Sequence, residues 1–259
     1  MTAVEPPPIP MSDWVGDYTR FPHYHGLRVT LSEYDTLPSD GHAYEVISGI
    51  MALMPDRFPA SFCISSETHH PRYKSIRCSA DEYLALADDG FRYELIDGVV
   101  IMSPSPTPLH QAVMLEIAYQ IKAFLKNRPI GRVLVETDVV LTRRADKSDL
   151  VYRPELVFYL HKDGHQRVPD RLEGPPDLVV EVQSPATHRL DLKTKREDYE
   201  AAGVPEYWLF DPEAKTMLFL RLTNGHYTEM EPQNDVFSSE AVPGFRLNLA
   251  DVRAEWTTD

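Results

Sequence analysis

Residues 176–212 read PDLVVEVQSPATHRLDLKTKREDYEAAGVPEYWLFDP, and their pattern sets the fold class. Asp177–Gln183 is a near-continuous apolar run, the composition of a central strand covered on both faces. A helix is expected at Asp191–Ala202, ending at Gly203 with Pro205 beyond it. Another strand is expected at Tyr207–Phe210. One carboxylate, Glu181, sits inside the apolar run between Val180 and Val182. Burying that charge is costly unless something pairs with it. The helix offers Lys195, four residues after Asp191 and four before Tyr199, so all three share one helix face.

Upstream, Pro108 opens a helix running to about Asn127, with Val113, Ile117, Ile121 and Phe124 at helical spacing. A strand at Arg132–Leu141, a charged turn at Arg143–Asp149 and a strand at Glu155–Tyr159 follow. A polar, proline-bearing loop spans 161–176. Downstream, strands at Thr216–Arg221 and Tyr227–Glu231 flank Asn224-Gly225, a hairpin turn signal. The terminal segment, with Glu255 and Asp259, reads as a solvated tail. This order predicts an α/β protein with a mixed sheet flanked by helices.

The N-terminal half contains a repeat. Residues 27–55 (LRVTLSEYDTLPSDGHAYEVISGIMALMP) align without gaps on residues 76–104 (IRCSADEYLALADDGFRYELIDGVVIMSP), with 11 of 29 positions identical. In the second copy Ser79 is placed to cap a short helix, Ala80–Ala87, ended by Gly90. Strands at Tyr93–Ile96 and Val99–Met102 flank Asp97-Gly98, a strong two-residue turn; the first copy has Ser48-Gly49 there. The expected organisation is a flexible arm (1–26), a partial copy of the helix-hairpin module plus linker (27–75), and the main domain (76–259). His69 and His70 in the linker lack ligand-spaced partners and are set aside as a metal site. Edge strands of the repeated hairpins need covering, which predicts a homodimer.

Composition narrows the function. Two cysteines, Cys63 and Cys78, supply neither a disulfide framework nor a cysteine-based zinc site. No stretch approaches the ~20 apolar residues that span a membrane. The opening residues MTAVEPPPIPMSDW lack a signal-peptide pattern, so a cytoplasmic protein is expected. A net charge of -14 argues against broad, nonspecific affinity for nucleic acid.

The candidate chemistry rests on charged residues where burial is expected. Glu94 lies between Tyr93 and Leu95, Glu155 opens the strand Leu156-Val157-Phe158, and His110 begins the long helix. Carboxylates presented from neighbouring strands suit a hard divalent cation such as Mg2+ or Mn2+. A lysine beside that metal can orient or deprotonate water and offset charge on a phosphoryl transition state. Glu181 and Lys195 equally suit a structural ion pair, His110 a helix-start packing role, and Tyr199, Tyr207 and Trp208 the core. Glu45, at the matching position of the first copy, suggests that Glu94 has a structural role in part.

The segments RYELIDGVVIMSP, H-x-x-V-x-x-x-I, RPELVF, DLVVEVQSP, D-x-x-x-K-x-x-x-Y and GVPEYWLFDP, in this order and spacing, resemble the Uma-two family of restriction-endonuclease-like proteins in the PD-(D/E)XK superfamily. The likeness covers about residues 76–231, with a partial echo in 27–55. It implies a restriction-endonuclease-like αβββαβ core and a Mg2+- or Mn2+-dependent endonuclease acting on DNA. Carried over by position, Glu155 takes the place of the aspartate of the PD pair. Glu181 becomes the second acidic ligand, with the Val182 carbonyl as an additional one. Glu94 and His110 match positions lining the same pocket. The superfamily's lysine two residues past the second acid is here Gln183, and Lys195 matches a lysine moved to the following helix. Two alternatives stay open: a nuclease-fold binding or assembly module without turnover, and a hydrolase of smaller phosphate esters.

Overall fold

The computed structural model describes residues 37, 44–47, 50–53, 73–74, 76–103, 105–145, 148–161, 171–184, 188 and 190–256. The expected N-terminal arm, the start of the first repeat copy, and most of the linker, His69 and His70 included, lie outside the described residues. The fold is mixed α/β. The chain divides into two compact units, Met1–Ser103 with Thr142–Tyr152, and Pro104–Leu141 with Arg153–Asp259.

In the first unit, β1 (Tyr44–Ile47) and β2 (Ile50–Leu53) pair antiparallel. So do β3 (Arg92–Ile96) and β4 (Val99–Ser103). Tyr44 faces Leu53 in one hairpin and Tyr93 faces Met102 in the other, so the 49-residue repeat preserves register residue for residue. Asp97 and Gly98 have φ of 49° and 72°, the positive pair that a two-residue hairpin turn of matching twist requires. Helix α1 (Ala80–Leu84) opens on a capping box between Ser79 and Glu82. It stops short of the expected Ala87. Asp88 and Asp89 take up the N–H groups of Gly90 and Phe91, drawing the chain into side-chain turns that compete with helix. The charged turn after residue 142 is tied down by buried Asp149, which accepts N–H bonds from Ala80 and Arg144. It leads into a short strand absent from the sequence expectation, β7 (Leu150–Tyr152), paired with β3.

The second unit is built on a six-stranded sheet. The expected strand Arg132–Leu141 is in fact two, β5 (Gly131–Val135) and β6 (Val139–Thr142), because Glu136 turns into left-handed backbone at φ 48°. Sheet order runs β13 (His226–Glu229), β12 (Thr216–Thr223), β11 (Glu206–Asp211), β10 (Leu178–Val182), β8 (Leu156–Leu160), β5. Only β10 and β11 run parallel; the other neighbours are antiparallel. The short β9 (Leu172–Glu173), in the expected polar loop, pairs parallel with β6.

Helix α2 (Pro108–Asn127) matches its expected bounds, with Thr107 accepting from the His110 N–H as N-cap and Pro108 at N1. Its buried stripe of Val113, Ile117 and Ile121 joins Leu156, Phe158, Val180, Val182, Trp208 and Phe210 in one apolar core. At Gly131 a side chain is barred, since an added Cβ would stand 2.2 Å from the Phe158 ring. The expected helix at Asp191–Ala202 begins instead as a π-helical turn, Leu190–Lys195, before α3 (Arg196–Ala202), which Gly203 closes at φ 83°. Of the expected solvated tail, Asp259 lies outside the described residues, and Glu255 caps the last helix beside buried Trp256. β14 (Val236–Ser238) pairs with β15 (Arg246–Asn248), and α4 (Leu249–Ala254) follows. Together they bury Phe237, Phe245, Leu247, Val252 and Trp256. Among the described residues no helix is long and apolar enough to cross a membrane.

Candidate active site

Antiparallel pairing fixes where the acids fall. Leu178 faces Phe158, Val179 faces Val157 and Val180 faces Leu156. One further step in that register sets Glu181 opposite Glu155, which lies immediately before β8 because Pro154 interrupts the ladder. Along β10, Leu178, Val180 and Val182 point into the core shared with α2. Alternation therefore sends Val179 and Glu181 to the opposite face.

Glu181 is 3 % exposed and is met there by two donors. Lys195 Nζ donates to its Oε1 at 2.9 Å, and the Tyr199 hydroxyl donates to the same atom at 3.2 Å. Asp191 Oδ1 stands 3.5 Å from Lys195 Nζ, one turn earlier on the same helical segment. The Tyr207 hydroxyl donates to the Asp191 carbonyl at 3.2 Å. Burial, reinforced by the charges of Asp191 and Glu181, pushes the Tyr207 hydroxyl well above the ordinary tyrosine range. The side-chain spacing read from the sequence thus brings Glu181, Lys195, Asp191 and Tyr199 together.

Glu155 is held from α2. His110 Nε2 lies 3.3 Å from Glu155 Oε1, and His110 is buried. With Nε2 donating to the carboxylate, a neutral ring leaves Nδ1 as an acceptor. Among the described residues, neither His110 Nδ1 nor Glu155 Oε2 has a hydrogen-bond partner, although both atoms are buried. Gln183, two residues past Glu181, is 5 % exposed, and its Nε2 is likewise unpartnered among the described residues. Glu94 belongs to the other unit, buried at the centre of β3 rather than facing solvent as hairpin glutamates usually do.

Glu136 was missed by the sequence reading. It follows β5, donates its N–H to the Glu155 carbonyl at 3.1 Å, and accepts from Gln111 Nε2 at 3.0 Å. The only trace of it in sequence is its place within a run otherwise suited to one unbroken strand. Glu206 supplies a contrast. It is 1 % exposed, yet Trp208 Nε1, Ser239 Oγ, the Glu240 N–H and Arg221 all donate to its carboxylate. A buried acid so fully matched is structural.

Among the described residues no group of three or more His, Cys, Asp or Glu side chains is arranged to hold a metal ion. Magnesium takes one or two carboxylates and keeps water on its remaining positions. Glu155 Oε2, a hard oxygen buried without a hydrogen bond, is a suitable donor for such an ion.

The profile of the Uma2 family, described as "Putative restriction endonuclease", matches residues 80–250. A crystal structure of "a putative nuclease belonging to DUF820" from Anabaena variabilis superposes with a TM-score of 0.58. The two share 20 % identity, over 70 % of this chain and 99 % of that one. No curated protein matches the chain.

Proposed function

The chain belongs to the Uma2 family, and from that premise we propose that it is a Mg2+- or Mn2+-dependent endonuclease hydrolysing DNA phosphodiesters. On this reading α2, β5, β8, β10, α3 and β11 are the restriction-endonuclease-like αβββαβ core, an antiparallel trio followed by a helix and a parallel strand. The observation that carries it is that two held acids, Glu155 on His110 and Glu181 on Lys195, fall at neighbouring register positions at one end of that sheet.

Glu155, Glu181 and the Val182 carbonyl would hold the metal. A bound divalent ion supplies Lewis-acid stabilisation of the phosphoryl group and an acidified water. The protein's own part is positional and protonic. Lys195 pairs with Glu181 in a buried setting and would offset part of the negative charge that gathers during phosphoryl transfer. His110 holds Glu155 through Nε2 and offers Nδ1 as a proton acceptor. DNA as substrate, a homodimer and a cytoplasmic setting complete the proposal. Supercoiled plasmid tests it: cutting is expected with added Mg2+ or Mn2+ and not with chelator, and Glu155→Gln and Glu181→Gln each remove it. Plasmid left intact under both metals overturns the nuclease reading.

A second reading has its own support. Lys195 stands within 3.5 Å of two acids and Glu181 Oε1 already has two donors, an arrangement that is electrostatically complete without metal. In that case the fold serves as a binding or assembly module, and calorimetry shows no metal binding.

A further inference from the structure

The end of the sheet that carries Glu155 and Glu181 also carries a donor with no acceptor among the described residues. Gln183 follows β10, and its N–H bond to the Phe210 carbonyl at 2.7 Å continues the β10–β11 ladder through it. Extended backbone two residues past Glu181 puts the Gln183 side chain on the Glu181 face. The residue is 5 % exposed, and Nε2 finds no hydrogen-bond partner among the described residues. His110 Nδ1 and Glu155 Oε2, unpartnered in the same way, lie at this same end.

A buried carboxamide nitrogen with no acceptor is a liability in the resting protein, tolerable where an arriving group completes it. The surroundings say what that group is. Glu155 and Glu181 are acceptors when ionised and give nothing to an anion. Lys195 is already engaged by Glu181 at 2.9 Å and Asp191 at 3.5 Å. Gln183 Nε2 is a neighbouring donor with no hydrogen-bond partner among the described residues, and it adds no charge to an already crowded ion cluster. Resting on the phosphodiesterase reading above, we infer that Gln183 is a catalytic residue whose Nε2–H donates to a non-bridging oxygen of the bound phosphodiester. Such a bond strengthens as negative charge grows on that oxygen.

The test compares wild type with Gln183→Leu, close in volume but without the donor, and Gln183→Glu, which puts an acceptor in its place. Calorimetric melting of the metal-free proteins is read beside the kinetics of supercoiled plasmid cleavage in Mg2+. Gln183→Leu is expected to melt no lower than wild type, while its kcat falls by about 10²–10³-fold and KM changes little. Gln183→Glu is expected to be slower still, through repulsion of the phosphodiester. A lower melting temperature for Gln183→Leu assigns the carboxamide to structure and overturns the inference, as does an unchanged kcat. The two levels separate cleanly. An inactive wild type brings down the nuclease reading and this inference with it; an active wild type matched by Gln183→Leu removes this inference alone.

Discussion

Lys195 Nζ stands 2.9 Å from Glu181 Oε1, with the two side chains 5 % and 4 % exposed. A pair this deeply buried changes how the lysine can be studied. Removing one partner strands the other charge in a poorly hydrated place, and the usual cost is about 3–5 kcal/mol. Lys195→Ala is therefore expected to lose much of its folding stability as well as its activity. Glu181→Gln with Lys195→Met together is expected to recover part of that loss, and urea denaturation of wild type and the two variants measures it. A single variant as stable as wild type would show that the pair contributes no net stabilisation.

Glu155 predicts the opposite behaviour. Its Oε2 has no hydrogen-bond partner among the described residues, so neutralising the group relieves more than it removes. Glu155→Gln is expected to melt at or above wild type in chelator. Saturating Mg2+ is expected to raise the wild-type melting temperature and leave that of the variant unmoved, since a ligand stabilises only the state that binds it. Thermal scans with and without metal read both effects.

Glu206 serves as the internal control. With its carboxylate matched by Trp208, Arg221, Ser239 and Glu240, Glu206→Ala is expected to cost about 3–5 kcal/mol. Metal affinity, measured by titration calorimetry where the variant still folds, is expected to stay at the wild-type value.

Three tyrosines set an alkaline limit. Burial raises the hydroxyls of Tyr159, Tyr207 and Tyr227 above the ordinary value, with nearby acids adding to the effect. A group whose folded pKa lies above its unfolded one contributes stability that is complete at lower pH. That contribution begins to fall as pH rises past the unfolded value of about 10. Absorbance at the tyrosinate band is expected to show these residues ionising together with loss of circular dichroism. Full ionisation near pH 10 in a still-folded protein would contradict it.

Legibility in the sequence followed length and chemistry. Helix α2 declared itself through Thr107, Pro108 and a stripe long enough to average out noise. The Asp97-Gly98 and Asn224-Gly225 turns were readable because both positions of each need positive φ, which few residues accept. The acid and lysine on β10 and the following helix were readable from burial and four-residue spacing alone. β7, β9, β14 and β15 were not, being two or three residues long and without a period to detect. Nor was the structural duty of Glu206, whose partners Arg221, Ser239 and Glu240 are distant in the chain. The break at Glu136 depends on one backbone angle that composition does not announce.

The shared register of the β1–β2 and β3–β4 hairpins leaves the protein with internal rivals. Leu95 of β3 pairs with Val151 of β7, and Val46 is its counterpart in the first copy. Either hairpin carries much of the information needed to dock beside β7, within one polypeptide or between two. Misassembly by exchange of the copies is thus built into the duplication, most acutely during refolding at high concentration.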